Sequence, residues 1–135
     1  MKKIEHLGLA VSDLEKSEAL FSRLFNTKPY KRENVESQKV ITSFFRVGNN
    51  KVELLKPTDP DSVIQKFIDK KGEGLHHVAF AVSDIRSEMK RLESEGFVLL
   101  STEPMRGADN KMVCFLHPKT TNGLLVELVE EIEPD

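Results

Sequence analysis

Along residues 3–11 the side chains alternate in character. His6, Gly8 and Ala10 fall on one face of an extended segment, and Leu7, Leu9 and Val11 fall on the other. This spacing predicts a strand. The period then lengthens: Ser12-Asp13-Leu14-Glu15 has capping-box spacing, and Leu20, Phe21, Leu24 and Phe25 form a helical apolar stripe. Candidate strands follow at about 28–36, 38–47 and 51–56, with Gly48-Asn49-Asn50 as the hairpin turn between the last two. Pro57-Thr58-Asp59-Pro60-Asp61-Ser62 breaks the pattern and opens a short amphipathic helix carrying Val63, Ile64, Phe67 and Ile68, which Gly72-Glu73-Gly74 ends. The order then recurs. A strand at 76–83 places His77, Ala79 and Ala81 on one face. A helix at 84–95 turns Ile85, Met89 and Leu92 inward and stops at Gly96. Strands are expected at about 97–101, 111–117 and 123–130, with Asn122-Gly123 in the last turn.

The recurrence extends to the letters. His6-Leu7-Gly8-Leu9-Ala10-Val11-Ser12-Asp13-Leu14 returns 71 positions later as His77-Val78-Ala79-Phe80-Ala81-Val82-Ser83-Asp84-Ile85. Val52-Glu53-Leu54-Leu55 returns 74 positions later as Val126-Glu127-Leu128-Val129. A repeat of this length fixes architecture. The chain is expected to be one α+β domain over 1–135. It would hold two tandem β-α-β-β-β modules, at about 3–57 and 75–131, joined by a connecting helix at about 60–72.

Composition narrows the partners. The 135 residues hold 20 Lys and Arg against 22 Asp and Glu, a net charge of −2, so no broad basic surface points to nucleic acid. No apolar run is long enough to suggest a membrane span. The single cysteine, Cys114, has no partner within the chain for a disulfide, and a cytoplasmic setting fits.

Each repeat carries one histidine and one glutamate. The strand face bearing each histidine is otherwise small: Gly8 and Ala10, then Ala79 and Ala81. Glu53 and Glu127 each sit between apolar residues that face the other way, where an unpartnered carboxylate is costly to bury. His6, Glu53, His77 and Glu127 together offer two imidazoles and two carboxylates, a donor set suited to Co²⁺, Mn²⁺, Ni²⁺, Zn²⁺ or Fe²⁺. A lone strand histidine is ordinarily a hydrogen-bonded structural residue; it is the repeated pairing that favours a shared metal. Other positions read more simply. His76 points to the opposite strand face from His77, and His117-Pro118-Lys119 starts a turn. Cys114 lies in an apolar strand. Lys28, Lys31, Arg32, Arg106, Lys111 and Lys119 read as solvated surface, although some could meet a phosphate or carboxylate.

The paired modules resemble the vicinal oxygen chelate superfamily, which includes glyoxalase I, extradiol dioxygenases and bleomycin-resistance proteins. The chain is most similar to its methylmalonyl-CoA epimerase family. The resemblance spans about residues 4–130, and its more specific runs are Gly74-Leu75-His76-His77-Val78-Ala79-Phe80 and Phe115-Leu116-His117-Pro118-Lys119. It implies a curved eight-stranded mixed sheet around a metal cleft, with the helices on the outer face. It implies one divalent metal, Co²⁺ first and Mn²⁺, Ni²⁺ or Zn²⁺ as alternatives, on His6, Glu53, His77 and Glu127. It also implies epimerisation of an acyl-CoA substrate at C2 through a metal-stabilised enolate, with Glu127 moving a proton, and a homodimer. In one family member the base proposed for the second proton transfer lies four residues after the glutamine matching Gln38. Thr42 stands there in this chain, leaving Glu33, Glu36 or a water as candidates. The alternatives are a glyoxalase I-like isomerase of a glutathione hemithioacetal and a metal-free ligand-binding module. Substrate-binding residues are not readable.

Overall fold

The computed structural model describes residues 1–132. The chain divides into two compact units, His6–His76 and Met1–Glu5 together with the chain from His77 onward.

In the first unit, β1 (Lys3–Ala10, its first three residues belonging to the other unit) leads into α1 (Leu14–Phe25). Then come β2 (Lys31–Val35), a 3-10 turn (Glu36–Gln38), β3 (Val40–Val47), β4 (Asn50–Pro57) and α2 (Val63–Lys71). The strands lie in the order β2-β3-β4-β1. The β2–β3 and β3–β4 pairs are antiparallel, whereas β1 runs parallel to β4. A parallel pair needs a long crossover, and α1 with the strands after it supplies one. Asp13, not Ser12, caps α1, accepting from the Lys16 N–H at 3.1 Å. The Ser12 N–H instead donates to Glu73 Oε2 at 2.7 Å. Val11, Leu14, Phe45, Val52 and Leu54 form the core, with Phe21 and Phe25 packed on it. Only part of the expected α1 stripe is used, because Leu20 and Leu24 are exposed.

The second unit follows the same plan with β5 (Gly74–Ala81, its first three residues belonging to the first unit), α3 (Ile85–Ser94), β6 (Met105–Gly107), β7 (Lys111–Leu116) and β8 (Val126–Glu131). Its strand order is β5-β8-β7-β6, with β5 and β8 parallel and the other pairs antiparallel. Ile85, Met89 and Leu92 of α3 pack on Cys114, Leu116, Val126 and Leu128. The strand expected at 97–101 is absent: Leu99 makes one isolated bridge to Leu116, while Val98 and Leu100 are exposed. The β-strand that pairs with β7 lies a few residues later, at Met105–Gly107. The two tandem β-α-β-β-β modules read from the sequence are otherwise present, with eight strands and three α-helices among the described residues.

Candidate functional site

Strand register settles which side chains share a face within each unit. In the first, Ser43 and Phe45 look toward α1: Ser43 Oγ donates to Glu18 Oε2 at 2.6 Å, and Phe45 meets Phe25 edge-on at 5.5 Å. The alternate residues Thr42 and Phe44 therefore occupy the face away from α1. Phe44 pairs with Glu53, which puts Glu53 on that face too. On the parallel partner β1, Gly8 is opposite Glu53, and His6 lies two residues before Gly8 on the same face. The predicted pair is in contact: His6 Nδ1 lies 3.1 Å from Glu53 Oε2.

The second unit repeats this arrangement. Cys114, Leu116 and Leu128 pack against α3, so Val113, Phe115, Glu127 and Val129 lie on the other face. Phe115 pairs with Glu127. Ala79 is opposite Glu127, and His77 lies two residues before Ala79. His77 Nε2 is 3.0 Å from Glu127 Oε1. In both units the glutamate faces the residue two beyond the histidine, and a phenylalanine flanks the glutamate from the third strand. Phe115 also stands edge-on to the His77 ring at 5.6 Å and 89°, restraining its orientation.

All four residues are 5–6% exposed. In each unit a buried carboxylate lies within about 3 Å of an imidazole nitrogen, and imidazole with carboxylate is a donor chemistry that suits a divalent cation. Each carboxylate has a second oxygen and each imidazole a second nitrogen for orienting contacts.

The remaining sequence candidates are placed as structural. His76 stands edge-on to Phe67 at 4.9 Å. His117 Nδ1 accepts the Lys119 N–H at 3.1 Å, capping the short 3-10 turn Pro118–Thr120. Cys114 is fully buried, and burial pushes its thiol up, against a smaller opposing effect of the Ser101 hydroxyl, so it is no nucleophile at neutral pH. Arg32 projects toward α1 and pairs with Glu18. Glu33 pairs with Thr42 and so lies on the face of Phe44 and Glu53, an orientation that sequence alone leaves open. Lys31 shares that face, its Nζ 4.7 Å above the Phe44 ring and 3.8 Å from Glu33 Oε1.

Comparison with known proteins identifies the family. The profile of the Glyoxalase/Bleomycin resistance protein/Dioxygenase superfamily matches residues 5–115. An ethylmalonyl-CoA/methylmalonyl-CoA epimerase of Cereibacter sphaeroides is 38% identical over 128 residues, 93% of this chain and 96% of that protein. The mitochondrial methylmalonyl-CoA epimerase of Dictyostelium discoideum is 36% identical over 130 residues, 96% of this chain and 78% of that protein. A variant methylmalonyl-CoA epimerase of Streptomyces coelicolor, solved in complex with 2-nitronate-propionyl-CoA, superposes with a TM-score of 0.93 at 31% identity, covering 98% of this chain and 99% of that one. The chain belongs to the Glyoxalase/Bleomycin resistance protein/Dioxygenase superfamily, among the relatives of its methylmalonyl-CoA epimerases.

Proposed function

We propose that this chain is a metal-dependent epimerase of methylmalonyl-CoA. The observation that carries the reading is the duplicated register of a buried imidazole against a buried carboxylate, in a chain whose relatives at 36–38% identity are epimerases of that substrate. In this reading His6, Glu53, His77 and Glu127 jointly hold one divalent cation, Co²⁺ before Mn²⁺, Ni²⁺ or Zn²⁺. Such an ion supplies Lewis acidity toward the substrate's carbonyl oxygens.

The chain's own groups do the rest. The C2 hydrogen lies between a carboxylate and a thioester, which already weakens its bond. Glu127 takes that proton, and the C–H electron pair moves into the adjacent thioester carbonyl. Phe44 and Phe115, flanking the two glutamates, limit water access to the flattened carbon, and return of a proton to the opposite side completes inversion. The protein is proposed to act in the cytoplasm as a homodimer; no helix among the described residues is long and apolar enough to cross a membrane.

The test is exchange of the C2 hydrogen of methylmalonyl-CoA in deuterated buffer, using chelator-stripped protein reloaded with each cation. Metal-dependent exchange together with interconversion of the two epimers is expected. A fully loaded protein that exchanges nothing overturns the reading. Turnover of methylglyoxal with glutathione by that same protein redirects it to a glyoxalase.

A further inference from the structure

In the first unit the face that carries His6 and Glu53 ends in cations. Lys51 lies two residues before Glu53 on β4, so it shares that face, and it stands opposite His6 on β1. On β3, Arg46 stands opposite Lys51, two residues beyond Phe44. Aromatic rings hold this end in place. The Tyr30 ring lies 5.9 Å from that of Phe44, and the Arg46 guanidinium sits 5.2 Å above the Tyr30 ring. The repeat shows that the fold does not need these charges. By register, Leu125 occupies the position of Lys51 in the second unit, and His117, capping its own turn, that of Arg46. The second unit builds the same strands without a cation at either place.

We propose that Arg46 and Lys51 form a phosphate-binding site that takes the diphosphate of the substrate's coenzyme A, with Tyr30 as the residue that positions Arg46. This rests on the epimerase reading above. Facing each other across adjacent strands, the two side chains can meet neighbouring phosphate oxygens, the guanidinium through paired N–H groups and the ammonium as a point charge. Packing on the Tyr30 ring restrains the guanidinium before the ligand arrives, which lowers the ordering cost of binding. Both cations are reachable, since Arg46 is exposed and Lys51 half-buried. Lys31 lies on the same face, but Glu33 already shares its charge at 3.8 Å, so the site is assigned to the other two. The span is suitable. From sulfur to phosphorus the pantetheine arm has about thirteen bonds, on the order of 15 Å when extended at the reach of a polypeptide. Arg46 is one strand across and two residues along from Glu53, roughly 8 Å between Cα positions, and an extended arginine adds several ångströms more. A thioester held beside Glu53 can therefore lay its arm along this face and end at the two cations.

The experiment uses two thioesters of the same acyl group, methylmalonyl-CoA and methylmalonyl-pantetheine, which lacks the phosphates. Metal-loaded wild type, Arg46→Met, Lys51→Met and the double variant are compared on both, and calorimetry measures their binding of coenzyme A itself. Each single variant is expected to raise KM for the CoA thioester, and to weaken coenzyme A binding, by about tenfold, and the double variant by about 10²-fold. The preference for the CoA thioester over the pantetheine thioester should fall by the same factors, with kcat moving little. Arg46→Lys, which keeps the charge, should retain most of the binding, and added salt should weaken wild type more than the double variant. Unchanged KM and unchanged coenzyme A binding overturn the site while leaving the epimerase reading intact. An equal rise in KM for both thioesters also overturns it, because the residues then support the fold or the arm and not the phosphates. Wild type that binds coenzyme A through these two residues yet never exchanges C2 removes the epimerase reading alone, and leaves a phosphate site that serves a free nucleotide.

Discussion

Glu53 and Glu127 occupy matching positions, each facing the residue two beyond a histidine and each flanked by a phenylalanine. In the proposed function only Glu127 moves a proton, so the two should respond differently to the same change. Glu53→Gln keeps one oxygen donor at the same length; metal binding is expected to persist and C2 exchange to stay within about tenfold of wild type. Glu127→Gln should lower exchange by about 10²–10⁴-fold, the range for loss of a proton-transfer group. Metal analysis alongside the deuterium assay checks both, and equal losses from the two variants would remove the distinction. The histidines and these glutamates were legible in the sequence because strand alternation is local: His6, Gly8 and Ala10 share a face whatever the rest of the chain does. Glu33 was not, because its face depends on how β2 registers with β3 across the turn Glu36–Gln38. A slip of one residue there would send Glu33 toward α1 and Arg32 away from it.

At the scale of elements, α1 is tied to its sheet by a polar anchor as well as by Leu14, Phe21 and Phe25. Glu18 accepts from Arg32 on β2 and from the buried Ser43 hydroxyl on β3. The Arg32 hydrogen bonds, more than the Ser43 bond, hold the Glu18 carboxyl below its usual 4.5, against an opposing effect of partial burial. A depressed carboxylate stabilises the fold above its unfolded pKa and loses that contribution as pH falls through the folded value. Glu18→Gln should therefore cost about 0.5–1 kcal/mol near neutral pH, an amount kept small because Arg32 is partly exposed. The difference from wild type should shrink as pH falls below about 4.5. Urea titrations across pH measure it, and a gap that widens in acid would contradict the anchor. Long elements with a clear period were readable, while the failures have local causes. Leu99 was placed in a strand by its apolar neighbours, yet Val98 and Leu100 face solvent and only one bridge forms. Met105–Gly107 is three residues long, too short for alternation to register. The cap of α1 falls on Asp13, whose carboxylate accepts the Lys16 N–H, while Glu73, distant in sequence, takes the Ser12 N–H; Glu130 likewise takes the Ile85 N–H at the start of α3.

For the whole molecule, the proposal that one ion draws ligands from both modules has a thermodynamic consequence that two separate ions lack. A cation that binds only the folded protein stabilises it by an amount set by its concentration relative to the dissociation constant, about 2.7 kcal/mol at a hundredfold excess. For a domain between the small and medium size classes this is a rise in melting temperature on the order of 10 °C. If His6, Glu53, His77 and Glu127 share one ion, His6→Ala alone and His77→Ala alone should each remove most of that metal-dependent rise, and the double variant should remove little more. Binding titrations should then saturate at one ion per chain. If each pair held its own ion, the single variants would each remove about half the rise, the double variant would remove their sum, and the stoichiometry would be two. Melting curves of the three variants with and without chelator separate these cases without any assay of turnover. Additive losses would show that the repeat had been preserved as two sites, and the shared-ion chemistry proposed for the substrate would have to be abandoned.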